Sequence, residues 1–386
     1  MSNSTAARAE IKSKDGRHFV FDRCTHQQAV DTFYGWSRQE QWNPGAKGEE
    51  IRHVFYRADP QGFFFGKLTS KPRPKRDSDS SSDSSSDSDS QNTDPSSHSS
   101  SVADDNDGDD EIVSIVSSVR YGDDQAWIGY YIVSPKYRGQ GLGLEGFHKA
   151  LEHAGHGSHV GLDGVMAQVE NYKKSGFIHI SWQNERRQGF AKDLTENHER
   201  DLADQIRRSE IPGLVDLSDD QVDLEQLCEL EEKYTGLKRP QFVKDWVKFH
   251  TNHADKHRFG AAVLSTDQKK ENGKPVVLGY ACLRPAETSY RLGPLYAANI
   301  EAAKQLLVKL AVEVELADAD QQKSSTLPDR PPLLIALDMP NSNQEAVKFF
   351  DGIGWKDTFP SLRMWRGKRP EHDVNGVFAV STLEMG

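Results

Sequence analysis

An apolar run, Trp127–Val133, leads into Ser134-Pro-Lys-Tyr-Arg-Gly-Gln-Gly-Leu-Gly143, and a helical pattern over Leu142–Ala154 begins before that turn has ended. A continuous apolar run of this length between turn residues reads as a buried central strand. Strand, glycine-rich turn and helix in that order commit this part of the chain to a layered α/β fold, with helices covering a sheet. Glycines at 139, 141 and 143 let the backbone approach a ligand closely. The first N–H groups of a helix have no partner inside it. They form a seat for an anion such as a pyrophosphate, and Arg138 adds a charged contact.

Around this unit, strand and helix patterns alternate. His18–Cys24 reads as a strand, and Thr25 as the cap of a helix over His26–Gln39. A second helix is expected over Gly45–Arg57, then strands at Gly62–Leu68 and Glu111–Arg120. After the helix that Gly155 and Gly157 end come a short strand at Val160–Leu162, a helix over Ala167–Ser175 and a last strand at Phe177–Trp182. A second block repeats this order: helices at Asp219–Lys233 and Gln241–His250, strands at Phe259–Leu264, Val276–Leu283 and Tyr290–Tyr296, a helix over Ile300–Leu316, a strand at Leu333–Leu337 and a helix over Gln344–Phe350. Two blocks of similar size and element order indicate an internal duplication. The chain divides into a first domain over 1–189, a polar helical linker over 190–210 and a second domain over 211–386.

The first domain carries an insertion at about residues 69–110, of which 77–110 are almost all Ser and Asp with scattered Asn and Gly; it buries too little apolar surface to offset chain ordering and reads as disordered. Residues 77–111 hold twelve acidic residues and no Lys or Arg, more than the whole excess behind the net charge of −11. The folded parts are therefore close to neutral, and no broad basic face points to nucleic acid. Ser80 and Ser84 each have Asp three residues on, so the insertion is either a kinase target or a neutral spacer. Lys71-Pro-Arg-Pro-Lys-Arg76 is either a nuclear signal or a solvated linker end. Cys24, Cys228 and Cys282 match no metal spacing and read as reduced thiols, so no metal is expected. With no signal-peptide pattern and no apolar run long enough for a bilayer, the expected compartment is the cytosol or nucleus, without a membrane partner.

Gly141-Leu-Gly-Leu-Glu-Gly146 also fits G-x-G-x-x-G, with Asp163 about twenty residues on, as a dinucleotide fingerprint requires. Against that, Pro135–Gln140 separates the strand from the first of these glycines, and four strands precede the motif. Arg138-Gly-Gln-Gly-Leu-Gly143 instead resembles the Arg/Gln-x-x-Gly-x-Gly/Ala motif of the GNAT superfamily of N-acetyltransferases, and Tyr172-Lys-Lys-Ser-Gly-Phe177 resembles that superfamily's Tyr-x-x-x-Gly-Phe. With Trp42-Asn-Pro-Gly45, Gly161-Leu-Asp-Gly164 and Arg291-Leu-Gly-Pro-Leu-Tyr296, the chain is similar to a two-domain GNAT subgroup with a complete N-terminal and a divergent C-terminal domain.

The resemblance implies a mixed sheet in tandem GNAT-like domains, with acetyl-CoA as co-substrate and an amine as acceptor. It places the cofactor on the main chain of Ile132 and Val133 and on Arg138, Gly139, Gln140, Gly141, Leu142 and Gly143, and makes Tyr172 the catalytic group beside the departing thiolate. Where the superfamily often has Asn, this chain has Val165, leaving Asn171 or Gln168 to hold the pantetheine arm. The general base is left open among Glu40, Asp123, Asp124, Asp163 and a chain of waters, and Trp36, Trp42 and Tyr131 are candidates for an acceptor pocket or for core packing. In the second block no glycine cluster follows Tyr290–Tyr296, and Phe350 stands at the tyrosine position, although Asn343 and Ala346 keep the superfamily spacing. That block is expected to be inactive. Two other readings stay open: a non-catalytic acyl-CoA sensor, and a nicotinamide-dependent dehydrogenase.

Overall fold

Thr25 ends the first strand and starts the first helix. Its side chain accepts from Gln28 N while Gln28 Oε1 accepts from Thr25 N (2.9 Å), a reciprocal cap on His26–Gln39. The computed structural model describes residues 12–70, 110–155, 157, 159–252, 257–322 and 333–386. The Ser/Asp insertion, Ser80, Ser84 and the basic run 71–76 lie outside the described residues. The chain leaves for the insertion and returns from it on paired strands, where Leu68 stands opposite Glu111.

Among the described residues the strands in chain order are β1 (His18–Arg23), β2 (Phe63–Thr69), β3 (Glu111–Tyr121), β4 (Gln125–Val133), β5 (His159–Val165), β6 (Phe177–Phe190), β7 (Leu214–Asp216), β8 (Phe259–Lys269), β9 (Pro275–Pro285), β10 (Tyr290–Ala297), β11 (Leu334–Pro340), β12 (Lys356–Gly367) and β13 (Val377–Ala379). They form one mixed sheet in the order β1-β2-β3-β4-β5-β12-β6-β11-β10-β9-β8-β7, with β13 on β10. Each half has an antiparallel meander that ends in a parallel pair, β4 with β5 and β10 with β11. The duplication read from the sequence is therefore present in the sheet order.

The two halves exchange their last strands. β12 leaves the second half to pair with β5 of the first, and β6 leaves the first half to pair with β11 of the second. β6 runs on to Phe190, well past the expected end at Trp182, because its second half is an interior strand of the joint sheet. β12 was not legible in the sequence: Pro360 sits inside it, and Pro in a run argues against an interior strand. The register shifts between Asp357 and Pro360, which absorbs the missing N–H. One core cluster joins Phe33, Phe55 and Tyr130 of the first half to Trp246, Tyr296 and Trp365 of the second.

The expected helix over Gly45–Arg57 is not regular. It breaks into Ala46–Gly48, Ile51–Phe55 and Tyr56–Ala58, and Lys47 has φ +57. Glu50 causes part of this: its side chain turns back to accept from Gly45 N (3.1 Å) and pairs with buried Arg284 of the second half.

Candidate active site

β4 and β5 pair from Gln125↔His159 only as far as Ile128↔Leu162, although β4 continues to Val133 and β5 to Val165. Beyond that point the two strands part, and a cavity of about 590 Å³ lies in the gap. A bulge sets the divergence. The β3–β4 register shifts between Ile115 and Ser117, and Tyr130 lies in the left-handed region at φ +49, a conformation rare for an aromatic residue. A bulge of this kind re-aims side chains beside a site. Tyr130 is buried, and among the described residues its hydroxyl has no hydrogen-bond partner.

At the end of β4 the chain enters the glycine turn. Gly139 and Gly141 have φ +77 and +79, so both need the conformational freedom of glycine. Gly143 serves differently: a Cβ there would lie 2.4 Å from Val133 Cγ2, so its role is to let the helix start lie against β4. Among the described residues no side chain caps the helix Leu142–Ala154, and its first bond runs from Glu145 N to Gly141 O (3.1 Å). The amides of Leu142, Gly143 and Leu144 therefore precede the helical ladder, at the positive end of the helix dipole.

Ile132, Val133, Arg138, Gly139, Gly141 and Gly143 line this one cavity, together with Tyr172. Gln140 and Leu142 do not: Gln140 Oε1 accepts from Lys14 N (3.1 Å), and the Leu142 side chain is buried with Leu68, Val113 and Tyr137. Arg138 donates from Nε to Val133 O (2.9 Å) and from Nη2 to Glu40 (2.6 Å). Tyr172 packs on Phe147, at 5.9 Å between ring centres, and burial pushes its phenol well above the ordinary value, with Tyr131 adding to the effect. Burial also pushes Tyr131 up to about 12. Among the described residues the Tyr172 hydroxyl has no hydrogen-bond partner, so it is a protonated donor facing the cavity.

Gly164 lies under that ring, where a Cβ would come within 2.7 Å of Tyr172 Cδ2 and Cε2. Gly164→Ala is therefore expected to displace Tyr172 and to cost about 1–3 kcal/mol. A denaturant melt checks this, and an unchanged midpoint would refute the packing.

The candidate bases separate clearly. Asp163 lines the cavity, but both its oxygens are engaged: Arg363 of β12 donates from Nε (3.0 Å) and Nη2 (2.6 Å), and Asn184 from Nδ2 (2.9 Å). It is thus neither a free base nor the ribose-binding acid of the dinucleotide reading. Asp123 is fully exposed, and Asp124 lies beside His159; both sit in the β3–β4 turn, at the far end of β4 from the glycine turn. Glu40 lines the cavity and pairs with Arg138. Trp42 and Tyr131 line the cavity, whereas Trp36 packs against the core. Val165, Gln168 and Asn171 line it as well, and Asn171 Nδ2 donates to Gln168 Oε1 (2.8 Å).

Sequence reasoning missed Tyr130, Arg186, Phe359, Leu383 and Glu384, which complete the cavity wall. One signal was available: Gly129, a glycine inside an apolar strand, marks a bulge or a close backbone approach. Both occur, for a Cβ at Gly129 would lie 2.1 Å from Glu384 O.

The equivalent gap in the second half is filled by its own chain. β13 pairs with β10, Val380 N donates to Asp338 O (2.9 Å) beside β11, and a Cβ at Gly293 would meet Val380 O at 2.4 Å. Asn343 pins this plug by donating to Asn375 O and Val377 O (3.1 and 2.9 Å). Among the described residues, no group of three or more His, Cys, Asp or Glu could hold a metal ion, and no helix is long and apolar enough to cross a membrane.

A family model described as the acetyltransferase (GNAT) family matches residues 48–177, and a model described as an acetyltransferase (GNAT) domain matches 227–317. These matches define the class as a tandem GNAT protein, one match in each half of the sheet. Holothin acyltransferase of Pseudoalteromonas sp. (strain SANK 73390) is 30% identical over 277 residues, covering 72% of this chain and 79% of that protein. A crystal structure from Pyrococcus horikoshii, assigned provisionally as an acetyltransferase, matches with TM-score 0.61 at 15% identity over 95% of this chain and 96% of its own. The GCN5-related glucosamine N-acetyltransferase region of a fungal multi-domain β-N-acetylglucosaminidase matches with TM-score 0.50 at 14% identity, over 90% of this chain and 38% of that one. The chain belongs to the GNAT family of acyltransferases and carries the GNAT fold twice.

Proposed function

We propose that the first half is an acetyl-CoA-dependent N-acetyltransferase acting on a primary amine, with the second half as scaffold. One observation carries this: an uncapped helix start behind two left-handed glycines opens into the same cavity as an unbonded, protonated tyrosine. The amides of Leu142 to Leu144 and the main chain around Gly139–Gly141 hold the diphosphate, with Arg138 as a cation beside it. The main chain of Ile132 and Val133 lies along the pantetheine arm and polarises the thioester carbonyl. Tyr172 donates a hydrogen bond to the departing sulfur. A thiol has a pKa of about 8.5, well below that of this phenol, so the hydrogen bond serves without complete proton transfer. The division into 1–189, 190–210 and 211–386 is the matching proposal for sequence limits, with β6 and β12 exchanged across it.

Holothin, named in the curated relative, is the first acceptor to try. Calorimetric titration with acetyl-CoA tests the reading, and an intact protein that does not bind it refutes it. Tyr172→Phe is expected to lower kcat by about 10²-fold while leaving acetyl-CoA affinity unchanged. Equal turnover by the variant removes Tyr172 from the mechanism. A protein that binds acetyl-CoA but releases no CoA with any amine would favour the sensor reading.

A further inference from the structure

The segment that closes the second cleft ends inside the first. After Val380 the chain crosses to β4. Leu383 O accepts from Trp127 Nε1 (3.0 Å), Met385 O from the Tyr121 hydroxyl (2.8 Å), and Arg239 holds Met385 O and Gly386 O (2.5 and 2.6 Å). Glu384 O packs on Gly129, where only a glycine leaves room. These bonds fix residue 384 against the bulge, where Glu384 lines the cavity.

The cavity wall has three acids, and two have cations: Asp163 has Arg363, and Glu40 has Arg138. Glu384 is 8% exposed, and among the described residues its carboxylate bonds only to the Thr382 hydroxyl, with no cation at ion-pair distance. Arg291 acts on it from farther away and is paired to Asp338. Tyr130 lines the same cavity, while its hydroxyl is buried in the core with no partner among the described residues. A carboxylate left in this state beside a cavity is costly unless a cationic donor fills it. Trp42 and Phe359 supply apolar walls around it.

We propose that Glu384 is the catalytic base for the acceptor. The acceptor's ammonium donates to Glu384, and its apolar or aromatic body lies against Trp42 and Phe359. This rests on the acetyltransferase reading above. Glu384 takes one proton from the ammonium, and the freed lone pair forms the C–N bond to the acetyl carbon. As the adduct collapses the C–S bond breaks. A second nitrogen proton is lost, one proton ends on the CoA sulfur, and the amide keeps the third hydrogen. Glu384 then passes its proton to water. The charged and titratable groups near it are Tyr130, then Glu50, Arg284 and Arg291 at the junction of the halves, and Arg186 in the cavity wall, which is paired to Asp338.

The test uses the full chain, its Glu384→Gln, Glu384→Asp and Tyr130→Phe variants, acetyl-CoA, and the amines holothin, tyramine, benzylamine and glucosamine. Calorimetry should show acetyl-CoA bound equally by all four proteins. Glu384→Gln should lose about 10²-fold or more in kcat, and Glu384→Asp should restore part of it. Tyr130→Phe, which removes a buried hydroxyl outside the acceptor's reach, should leave the amine KM unchanged, and the aromatic amines should outperform glucosamine. A Glu384→Gln protein with wild-type turnover overturns the proposal. So does a wild-type protein that binds acetyl-CoA and acetylates none of these amines. Failure of the wild type to bind acetyl-CoA would defeat instead the acetyltransferase reading.

Discussion

Replacing Gly141 by glutamate is expected to abolish acetyl-CoA binding while leaving the protein folded. The residue is the N-cap of the helix Leu142–Ala154, at φ +79, and an added Cβ meets nothing within 4 Å, so a side chain has space. Any L side chain there costs about 1–2 kcal/mol in the left-handed conformation. A carboxylate at a helix start returns about 0.3–1 kcal/mol, so the net change in stability is small. Binding suffers far more. The carboxylate occupies the anion seat and satisfies the free amides itself. At about 5 Å and an effective dielectric near 20, each phosphate charge adds roughly 3 kcal/mol of repulsion, a loss of more than 10²-fold. Gly141→Ala separates the causes: it carries the same strain without the charge and should bind within about tenfold of wild type. Titration calorimetry on both variants decides the matter, and wild-type affinity in Gly141→Glu would remove the diphosphate from this loop.

The second large effect concerns stability. Arg363→Met is expected to destabilise the whole protein by about 3–5 kcal/mol. Arg363 and Asp163 have side chains 0% exposed and meet through two parallel hydrogen bonds, and the guanidinium also lies over Trp127 and Trp182 at 4.7 and 4.8 Å. Removing the arginine leaves a buried carboxylate with Asn184 as its remaining donor. Folded domains have only about 5–15 kcal/mol in reserve, so the denaturation midpoint should fall steeply. Asp163→Asn combined with Arg363→Met should recover much of the loss, because the pair is then removed as a unit. A single variant that melts like wild type would show that this bond does not join β5 to β12.

The parts of the molecule legible in sequence are those whose cause is local. The run Trp127–Val133, the turn at Arg138–Gly143 and the helix after it follow from apolar continuity and glycine placement, and the structure has them where expected. The repeat of the element order was legible for the same reason and reappears in the order of the sheet. The strand exchange was not, because β12 pairs with residues about two hundred positions earlier and carries a proline that argues against it. The irregular path of residues 45–58 was hidden likewise, since Glu50 answers to Arg284 from the other half.

Gly139, Gly141, Gly143 and Tyr172 could be singled out because their roles depend on residue type at fixed spacing. Glu384 and Phe359 could not, because nothing near them in the chain tells a cavity wall from a core. The amino-acid order alone therefore determines an α/β duplication with a glycine-rich turn at the start of one helix, since backbone freedom and hydrophobic periodicity are local properties. Only the tertiary structure decides which acid in the cavity lacks a cation and which of the two clefts stays open, because both depend on a C-terminal segment that fills one gap and reaches the other through contacts far apart in sequence.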